Sequence, residues 1–330
     1  MTRSLVVAPQ WIGDAVMTEP LMRRLAARGE KLTVAAVPWV APVYRAMPQV
    51  GEVIDLPFQH GGLQWRERRR IAKEVAGRFD IAYVLPNSLK SALLPFLASI
   101  PRRVGYLGEA RVGVLTHRLK NPKGKPPMVA FYSALAGEPD VGADRPHLEL
   151  ARQHVDAALR NASLEAAAFH VFAPGAEFGP AKRWPAIHYA QLAKSLDAPV
   201  VLLGSGKDNE VCEEIAQEAG RGRCINLAGR TSLLDAFGLI ASARSVVSND
   251  SGLMHVAAAL GVRQVALFGS SSPQHTPPLN DRATVIWLRD DPAYQPPLDC
   301  SPCFQRECPL GHTRCLFDIT AERVRLSLLH

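Results

Sequence analysis

The sequence predicts an α/β protein built from two doubly wound parallel sheets. Short apolar segments alternate with helical segments along the chain, which is typical of parallel sheets covered by helices. The alternation runs twice, with an Ala-rich connector at 162–168 between the two series. The length of 330 residues also suits two domains, since one hydrophobic core usually serves roughly 100–200 residues.

The first series predicts an N-terminal Rossmann-like domain over residues 1–165. Its strands are short apolar runs, and its helices carry apolar residues at three- and four-residue spacing. The predicted strands are 5–8, 32–37, 53–56 and 81–85, and the predicted helices are 17–25, 42–47, 65–75 and 150–159.

The second series predicts a C-terminal Rossmann-like domain over residues 166–330. The predicted strands are 169–173, 200–203, 225–227, 245–248 and 264–268, and the predicted helices are 187–196, 210–219, 233–241, 253–260 and 319–329. Two such domains predict a cleft between them. Ligands of these sheets bind outside the carboxyl ends of the strands, so we expect function in the loops that follow the strands.

The composition is that of a globular protein, with 47% hydrophobic and 21% charged residues. The longest apolar stretches, such as 91–100, are interrupted by proline and fall short of the ~20 residues that a membrane span needs. Residues 1–9 hold a single Arg and an apolar run that stops at Pro9, which indicates a buried strand rather than a signal peptide. We therefore expect a cytoplasmic protein.

The formal net charge is +7, which is compatible with nucleic acid, an anionic membrane or an anionic small substrate as partner. No helix-turn-helix spacing or RNP-type aromatic motif accompanies the basic residues, and this disfavours nucleic acid. A solvated helix face remains an alternative for the cluster at 66–70. The basic residues expected to face an anionic partner are Arg66, Arg69, Arg70, Lys90, Arg102, Arg103, Lys120 and Lys123.

The sharpest local motif is the strand-to-helix turn at 245–255. Asn249, Asp250 and Ser251 are all good N-cap residues before an Ala-rich helix, and Gly252 allows a ligand to approach the backbone closely. The N–H groups of a first helical turn form an anion site, so the turn predicts a phosphorylated ligand. A well-capped helix without a ligand is the alternative.

A second motif lies at 173–184, directly after the first strand of the second domain. It carries two Gly, two Pro and the pair Lys182–Arg183 before a helix. Lys182 can offer a point charge to a diphosphate, and Arg183 a bidentate fork. An exposed basic loop without a ligand is the alternative.

Two further turns are weaker signals. In the turn at 9–16, Gly13 permits an unusual backbone angle, and Asp14 is either a helix cap or a general base toward a hydroxyl. The segment 200–209 contains Gly204 and Gly206 in a G-x-G pattern, but Asn209 stands where a dinucleotide fingerprint has its third Gly.

Four of the six cysteines are closely spaced near the C-terminus. Cys300, Cys303, Cys308 and Cys315, with His312 between the last two, are the ligand types of a small zinc site. The spacing matches no standard zinc finger, and a thiol-rich packing loop is the alternative. Structural disulfides are not expected in a cytosolic protein.

Taken together, five segments resemble the heptosyltransferase II branch of glycosyltransferase family 9. They are 9–14, 84–93, 174–185, 249–259 and 270–278. The resemblance spans nearly the whole chain. It implies a GT-B fold and an inverting, metal-independent glycosyltransferase without a cofactor. The implied donor is ADP-L-glycero-β-D-manno-heptose, and the implied acceptor is the first heptose of the inner core on Kdo₂-lipid A.

The resemblance also assigns roles to residues. Asp14 takes the position of the catalytic base, and Lys182 that of the catalytic lysine that contacts the donor diphosphate. The C-terminal domain binds the donor and the N-terminal domain binds the acceptor. The donor-side positions are Gly13, Glu177, Lys182, Gly204, Ser205, Ala228, Arg230, Thr231, Asp250, Ser251, Gly252, Leu253, Met254 and His255.

Several alternatives stay open at this point. A related family-9 transferase with another heptose donor or acceptor shares these motifs, and a non-catalytic nucleotide-sugar binding module shares the donor loops. The missing third glycine disfavours an NAD-linked oxidoreductase. Because the acceptor is a lipid that carries phosphates and carboxylates, the basic clusters also imply peripheral contact with the anionic inner face of the inner membrane.

Overall fold

The computed structural model describes residues 1–58, 62–137 and 144–329. The chain divides into two compact units, Met1–Glu149 and Leu150–His330. Each unit contains one six-stranded sheet in which every strand pair is parallel. The predicted fold class of two doubly wound parallel sheets is confirmed.

In the first unit the strand order is β3-β2-β1-β4-β5-β6. Its strands are β1 (Arg3–Val7), β2 (Lys31–Ala36), β3 (Val50–Asp55), β4 (Ile81–Val84), β5 (Arg102–Tyr106) and β6 (His117–Leu119). Its helices are α1 (Ile12–Met17), α2 (Glu19–Ala27), α3 (Ala41–Arg45), α4 (Trp65–Val75), α5 (Leu89–Leu97) and α6 (Met128–Ser133). The strand order reverses between β1 and β4, and such a switch point opens a crevice at the carboxyl ends of the strands.

In the second unit the strand order is β12-β11-β10-β7-β8-β9, with the switch point between β10 and β7. Its strands are β7 (His170–Ala173), β8 (Val200–Leu202), β9 (Cys224–Asn226), β10 (Val246–Asn249), β11 (Gln264–Phe268) and β12 (Ala283–Trp287). Its helices are α7 (Arg152–Ala162), α8 (Ala186–Ser195), α9 (Asn209–Ala219), α10 (Leu233–Ser242), α11 (Gly252–Ala259), α12 (Arg314–Phe317) and α13 (Ala321–Leu329).

The strands at the centre of each sheet are apolar because helices cover both faces. Every residue of β7, β8, β10 and β11 is buried. This explains why they contain unbroken apolar runs, such as Val171–Ala173 and Val265–Phe268, rather than alternating patterns. None of the helices in the described ranges is long and apolar enough to cross a membrane.

The structure places the division between the units earlier than the predicted boundary at 165/166. Helix α7 belongs to the second unit, where it packs along α10. Gly238 of α10 makes this close crossing possible, because a Cβ atom there would lie 2.7 Å from the Cβ of Ala158. The Ala-rich segment after α7 therefore lies inside the second unit.

The predicted strands and helices of both units are present, with shifted ends, and some elements were missed. The predicted helix at 17–25 corresponds to α2, in whose first turn Pro20 lies, and the preceding short helix α1 was not predicted. Strand β5 begins with two arginines, and β6 is only three residues long, so neither has a clear apolar pattern. Strand β12 and helices α5 and α6 were also not predicted.

We predict that Gly238→Val lowers the stability of the second unit. The new side chain would force α7 and α10 apart, and overpacking of this kind costs about 1–3 kcal/mol of unfolding free energy. The midpoint of thermal unfolding measures the loss. Ala241→Val, on the exposed part of the same helix, is the matched control. Equal midpoints for the two variants would show that the close contact of α7 with α10 at Gly238 does not contribute to stability.

Candidate active site

The loops at the switch point of the second unit bring two predicted residues together. Lys182 lies in the turn Pro180–Lys182 after β7, and Asp250 follows β10. The Nζ atom of Lys182 donates a hydrogen bond to Oδ2 of Asp250 at 2.5 Å. The side chains are 18% and 5% exposed, so this is a largely buried ion pair and not an exposed basic loop.

Asn249 holds the loop that carries Lys182 against the end of β10. Its Oδ1 accepts hydrogen bonds from the backbone N–H of Trp184 at 3.0 Å and from the hydroxyl of Tyr189 at 3.1 Å. Its Nδ2 donates to the carbonyl oxygen of Pro174 at 2.7 Å. The amide is fully buried, and its three bonds fix both ends of the 174–184 loop.

The side chain of Trp184 also anchors the C-terminal end of the 174–184 loop. The side chain is buried, and its Nε1 donates to the carbonyl oxygen of Ile319 at 2.8 Å. Sequence reasoning missed Trp184 and the structural role of Asn249. Their bonds join residues that lie 60 or more positions apart in the chain.

The start of helix α11 does not use its polar residues as caps. Ser251 is the N-cap residue, but no side-chain cap bond is formed there. The Ser251 hydroxyl is buried without a hydrogen-bond partner among the described residues, and so are the hydroxyls of Ser270 and Ser271 after β11. The first turn, Gly252–Met254, therefore keeps backbone N–H groups that no side chain caps, as an anion site requires.

Two more side chains complete the surroundings of Asp250. Thr276, from the segment after β11, donates from Oγ1 to Oδ1 of Asp250 at 3.3 Å. His255 of α11 is buried, and this burial lowers its pKa to about 4, while the charges of Asp250 and Lys182 act in opposite directions. His255 is therefore neutral at pH 7 and adds no positive charge to the site.

The turns after β7, β8 and β9 pack closely at the same edge of the sheet. A Cβ atom on Gly175 or Gly204 would lie within 3.0 Å of the Asp208 side chain, and one on Gly229 would lie 2.8 Å from the Cα of Gly206. Ser205 and Asp208 form a reciprocal capping box. These contacts show that the G-x-G segment is a tight turn that meets the loop following β9.

The other predicted donor-side residues of these turns differ in exposure. Glu177 accepts a hydrogen bond from Lys207 at 2.7 Å, with both side chains at the surface. Ala228 is buried, Thr231 is half-buried and Arg230 is exposed. The predicted donor-side residues of the second unit thus lie in or next to the loops at the carboxyl ends of its strands. Their side chains range from buried to exposed.

In the first unit, Asp14 lies in the first turn of α1, directly after Gly13 and the loop that follows β1. Its Oδ1 accepts a hydrogen bond from the hydroxyl of Tyr132 in α6 at 3.0 Å. Tyr132 is buried, and burial together with the charge of Asp14 raises its pKa well above the usual value, so it stays protonated as a donor. Sequence reasoning missed Tyr132, which lies 118 positions from Asp14.

The basic residues predicted at the acceptor surface fall into two groups. Arg70 pairs with Glu67 and Glu74 on its own helix, and Arg103 donates to the carbonyl oxygens of Val114 and Ile100. Both side chains therefore have partners within their own unit. The others are exposed or half-exposed: Arg66, Arg69, Lys90, Arg102, Lys120 and Lys123.

Comparison with known proteins places this geometry in a family. The profile of glycosyltransferase family 9 (heptosyltransferase) matches residues 68–314. The lipopolysaccharide heptosyltransferase 2 of Escherichia coli K12 is 42% identical, with 97% of this chain and 95% of that protein covered. The lipooligosaccharide heptosyltransferase 2 of Haemophilus influenzae is 43% identical, with 86% and 88% covered.

A solved structure agrees with these relatives. The structure described as E. coli ADP-heptose lps heptosyltransferase II has a TM-score of 0.84 and 40% identity, with 99% of this chain and 97% of that chain covered. The fold and the family match define a glycosyltransferase of the GT-B class, as expected from the resemblance. The chain belongs to glycosyltransferase family 9, the heptosyltransferases.

We predict that neutral His255 makes the second unit sensitive to acid. The unfolded chain takes up this proton near pH 6.5, whereas the folded chain resists protonation until about pH 4. The contribution of His255 to stability is therefore complete above pH 6.5 and declines as the pH falls toward 4, by a total of about 3 kcal/mol. Thermal unfolding midpoints between these pH values measure the decline.

His255→Gln should flatten this pH dependence, because glutamine does not titrate. His154→Gln changes an exposed histidine of the same unit and is the matched control. An equally steep decline in His255→Gln and in the unchanged chain would rule out His255 as the source.

Proposed function

We propose that this chain transfers L-glycero-D-manno-heptose from ADP-heptose to the first heptose of the lipopolysaccharide inner core. The observation that carries the assignment of donor residues is the Lys182–Asp250 pair beside the uncapped start of α11. The names of the 40–43% identical relatives support the donor and the lipopolysaccharide acceptor.

On the donor side, positive charge must balance the diphosphate as ADP leaves. The ammonium group of Lys182 and the first-turn N–H groups of α11 supply that charge without a cofactor. The buried hydroxyls of Ser251, Ser270 and Ser271 are further donors. Asp250 holds the ammonium group beside the helix start, and its carboxylate is placed to accept hydrogen bonds from heptose hydroxyls.

The turns at Gly204–Ser205 and Ala228–Thr231 would receive the adenosine end of the donor. Both lie at the same sheet edge as Lys182, where a Cβ atom on Gly204 or Gly229 would clash with a nearby turn. In this proposal ADP-heptose is a substrate and ADP a product. The second unit, Leu150–His330, is the donor domain, and Met1–Glu149 is the acceptor domain.

On the acceptor side, Asp14 is the general base. The acceptor hydroxyl attacks the anomeric carbon, its proton passes to the Asp14 carboxylate, and the bond from that carbon to the diphosphate oxygen breaks. One such displacement inverts the anomeric configuration. Tyr132 donates to Oδ1 of Asp14, which orients the carboxylate and favours its charged form.

The exposed cations of the first unit suit an anionic acceptor. An inner-core lipid carries phosphates and carboxylates at a negatively charged membrane surface, which attracts lysine and arginine side chains. We assign this role to Arg66, Arg69, Lys90, Arg102, Lys120 and Lys123, which are exposed or half-exposed. The protein would then act in the cytoplasm, peripherally at the inner face of the inner membrane, with no nucleic-acid partner.

A product assay tests the function directly. The purified protein is incubated with ADP-heptose and an acceptor that carries one heptose, and the acceptor is analysed by mass spectrometry. We expect a mass gain of one heptose and release of ADP. Product from a different sugar donor, with none from ADP-heptose, would favour another transferase of the family.

We predict that Asp14→Ala lowers kcat by at least about 100-fold, since general base catalysis contributes roughly 10²–10⁴. The affinity for ADP, measured by calorimetry, should stay unchanged because Asp14 lies in the other unit from the donor loops. Lys182→Ala is the contrasting variant and should weaken ADP binding strongly. Full turnover by Asp14→Ala would exclude Asp14 as the base.

We predict that Tyr132→Phe moves the acidic limb of the pH profile of kcat/KM to higher pH. Loss of the hydroxyl removes a hydrogen bond that stabilises the charged carboxylate, which makes the carboxylate easier to protonate. Tyr106→Phe is the matched control, because its hydroxyl donates to the carbonyl oxygen of Phe131 instead. An unmoved acidic limb in Tyr132→Phe would show that Tyr132 does not tune the base.

A further inference from the structure

The cysteine-rich segment 300–315, which follows β12 and ends in α12, lines a small cavity in the second unit. All four of its cysteines line this cavity, which has a volume of about 20 Å³. Ala181 and His312 also line the cavity. A volume of this size accommodates roughly one water-sized particle, so the cavity has room for a single ion and none for an organic ligand.

The chain turns tightly after the third cysteine. The backbone N–H of Gly311 donates to the carbonyl oxygen of Cys308 at 3.1 Å, and Gly311 has a φ of +71°. Cys308 before this turn and Cys315 after it both line the cavity. Cysteine binds metals as the thiolate.

His312 lines the cavity but is not available as a ligand. Its Nδ1 accepts a hydrogen bond from the backbone N–H of Arg314 at 3.1 Å. In the neutral ring the proton then lies on Nε2, and neither nitrogen has a lone pair left for a metal. The four cysteines are therefore the candidate ligands.

The cysteines lie on segments that other bonds already fix to the sheet. Ser301, between the first two cysteines, donates from Oγ to the carbonyl oxygen of Gly269 at 2.7 Å, and Phe304 donates from its N–H to the carbonyl oxygen of Ser270 at 2.7 Å. Cys315 lies in α12, with its sulfur 3.1 Å from the position of a Cβ on Gly269. An ion would therefore join separate segments to the end of β11.

We propose that Cys300, Cys303, Cys308 and Cys315 together bind one thiophilic metal ion, zinc or iron, at a structural site. The six cysteines of the chain are free thiols in the structure, and no three His, Cys, Asp or Glu residues in the described ranges are arranged as a metal site. Binding would turn the cysteine side chains toward the cavity and release the thiol protons to solvent. Four thiolates in tetrahedral geometry suit either ion.

The site also contacts the loop that carries Lys182. Ala181 lines the cavity, and its N–H donates to the carbonyl oxygen of Arg306 at 3.0 Å. Arg306 donates in turn from Nε to the carbonyl oxygen of Phe178 at 2.7 Å. The ion would hold Arg306 in place and so support Lys182, a consequence that rests on the proposed role of Lys182 in donor binding.

Metal content tests the site without any assay of transfer. The full chain is expressed in medium supplemented with zinc and iron, purified without chelators or a metal-affinity tag, and analysed by plasma mass spectrometry. We expect one zinc or one iron ion per chain, and the element found identifies which ion is bound. A mercurial thiol reagent should release the ion from the unchanged protein. This measurement does not depend on the folding of any variant.

Matched variants locate the ion. Cys303→Ser should lose it, whereas Cys224→Ser, in strand β9, and His312→Gln should keep it. Metal content in the unchanged protein no higher than in Cys303→Ser would overturn the proposal, as would loss of the ion in Cys224→Ser. ADP affinity measured by calorimetry should weaken in Cys303→Ser. Unchanged ADP affinity with the metal lost would leave the metal site standing and overturn only its support of Lys182.

Discussion

The buried side-chain amide of Asn249 is the interaction on which the position of the Lys182 loop beside Asp250 depends. Its oxygen accepts from Trp184 and Tyr189, and its nitrogen donates to the carbonyl oxygen of Pro174. An aspartate here would place a second oxygen against that carbonyl, so only an amide satisfies all three partners. The position of Lys182 follows from these bonds, because its loop is held at both ends.

The strand order explains why these residues can meet. Strands β7 and β10 are neighbours at the switch point, so the loops that follow them lie side by side although they are far apart in the chain. Lys182 and Asp250 pair across that point. In the first unit, Asp14 follows β1 next to the corresponding switch between β1 and β4.

The fold was predictable from the sequence because apolar runs of a few residues mark its strands. The candidate site was only partly predictable. Short apolar runs within β7, β8, β10 and β11 identify these strands, since they are buried on both faces. The partners of Asp14 and Asn249 are side chains on distant elements, so no local spacing reveals them. Asn249 was therefore interpreted as a helix cap, and Tyr132 was missed.

The packing of α7 on α10 has a consequence for synthesis of the chain. All strands of the first sheet precede the second unit in sequence, so the first unit can complete its sheet while the ribosome is still translating the second. Helix α7 is the first element of the second unit to emerge, but its partner α10 follows only after two strands have been made beyond β7. The contact between α7 and α10 can therefore form only after β8 and β9 have been made.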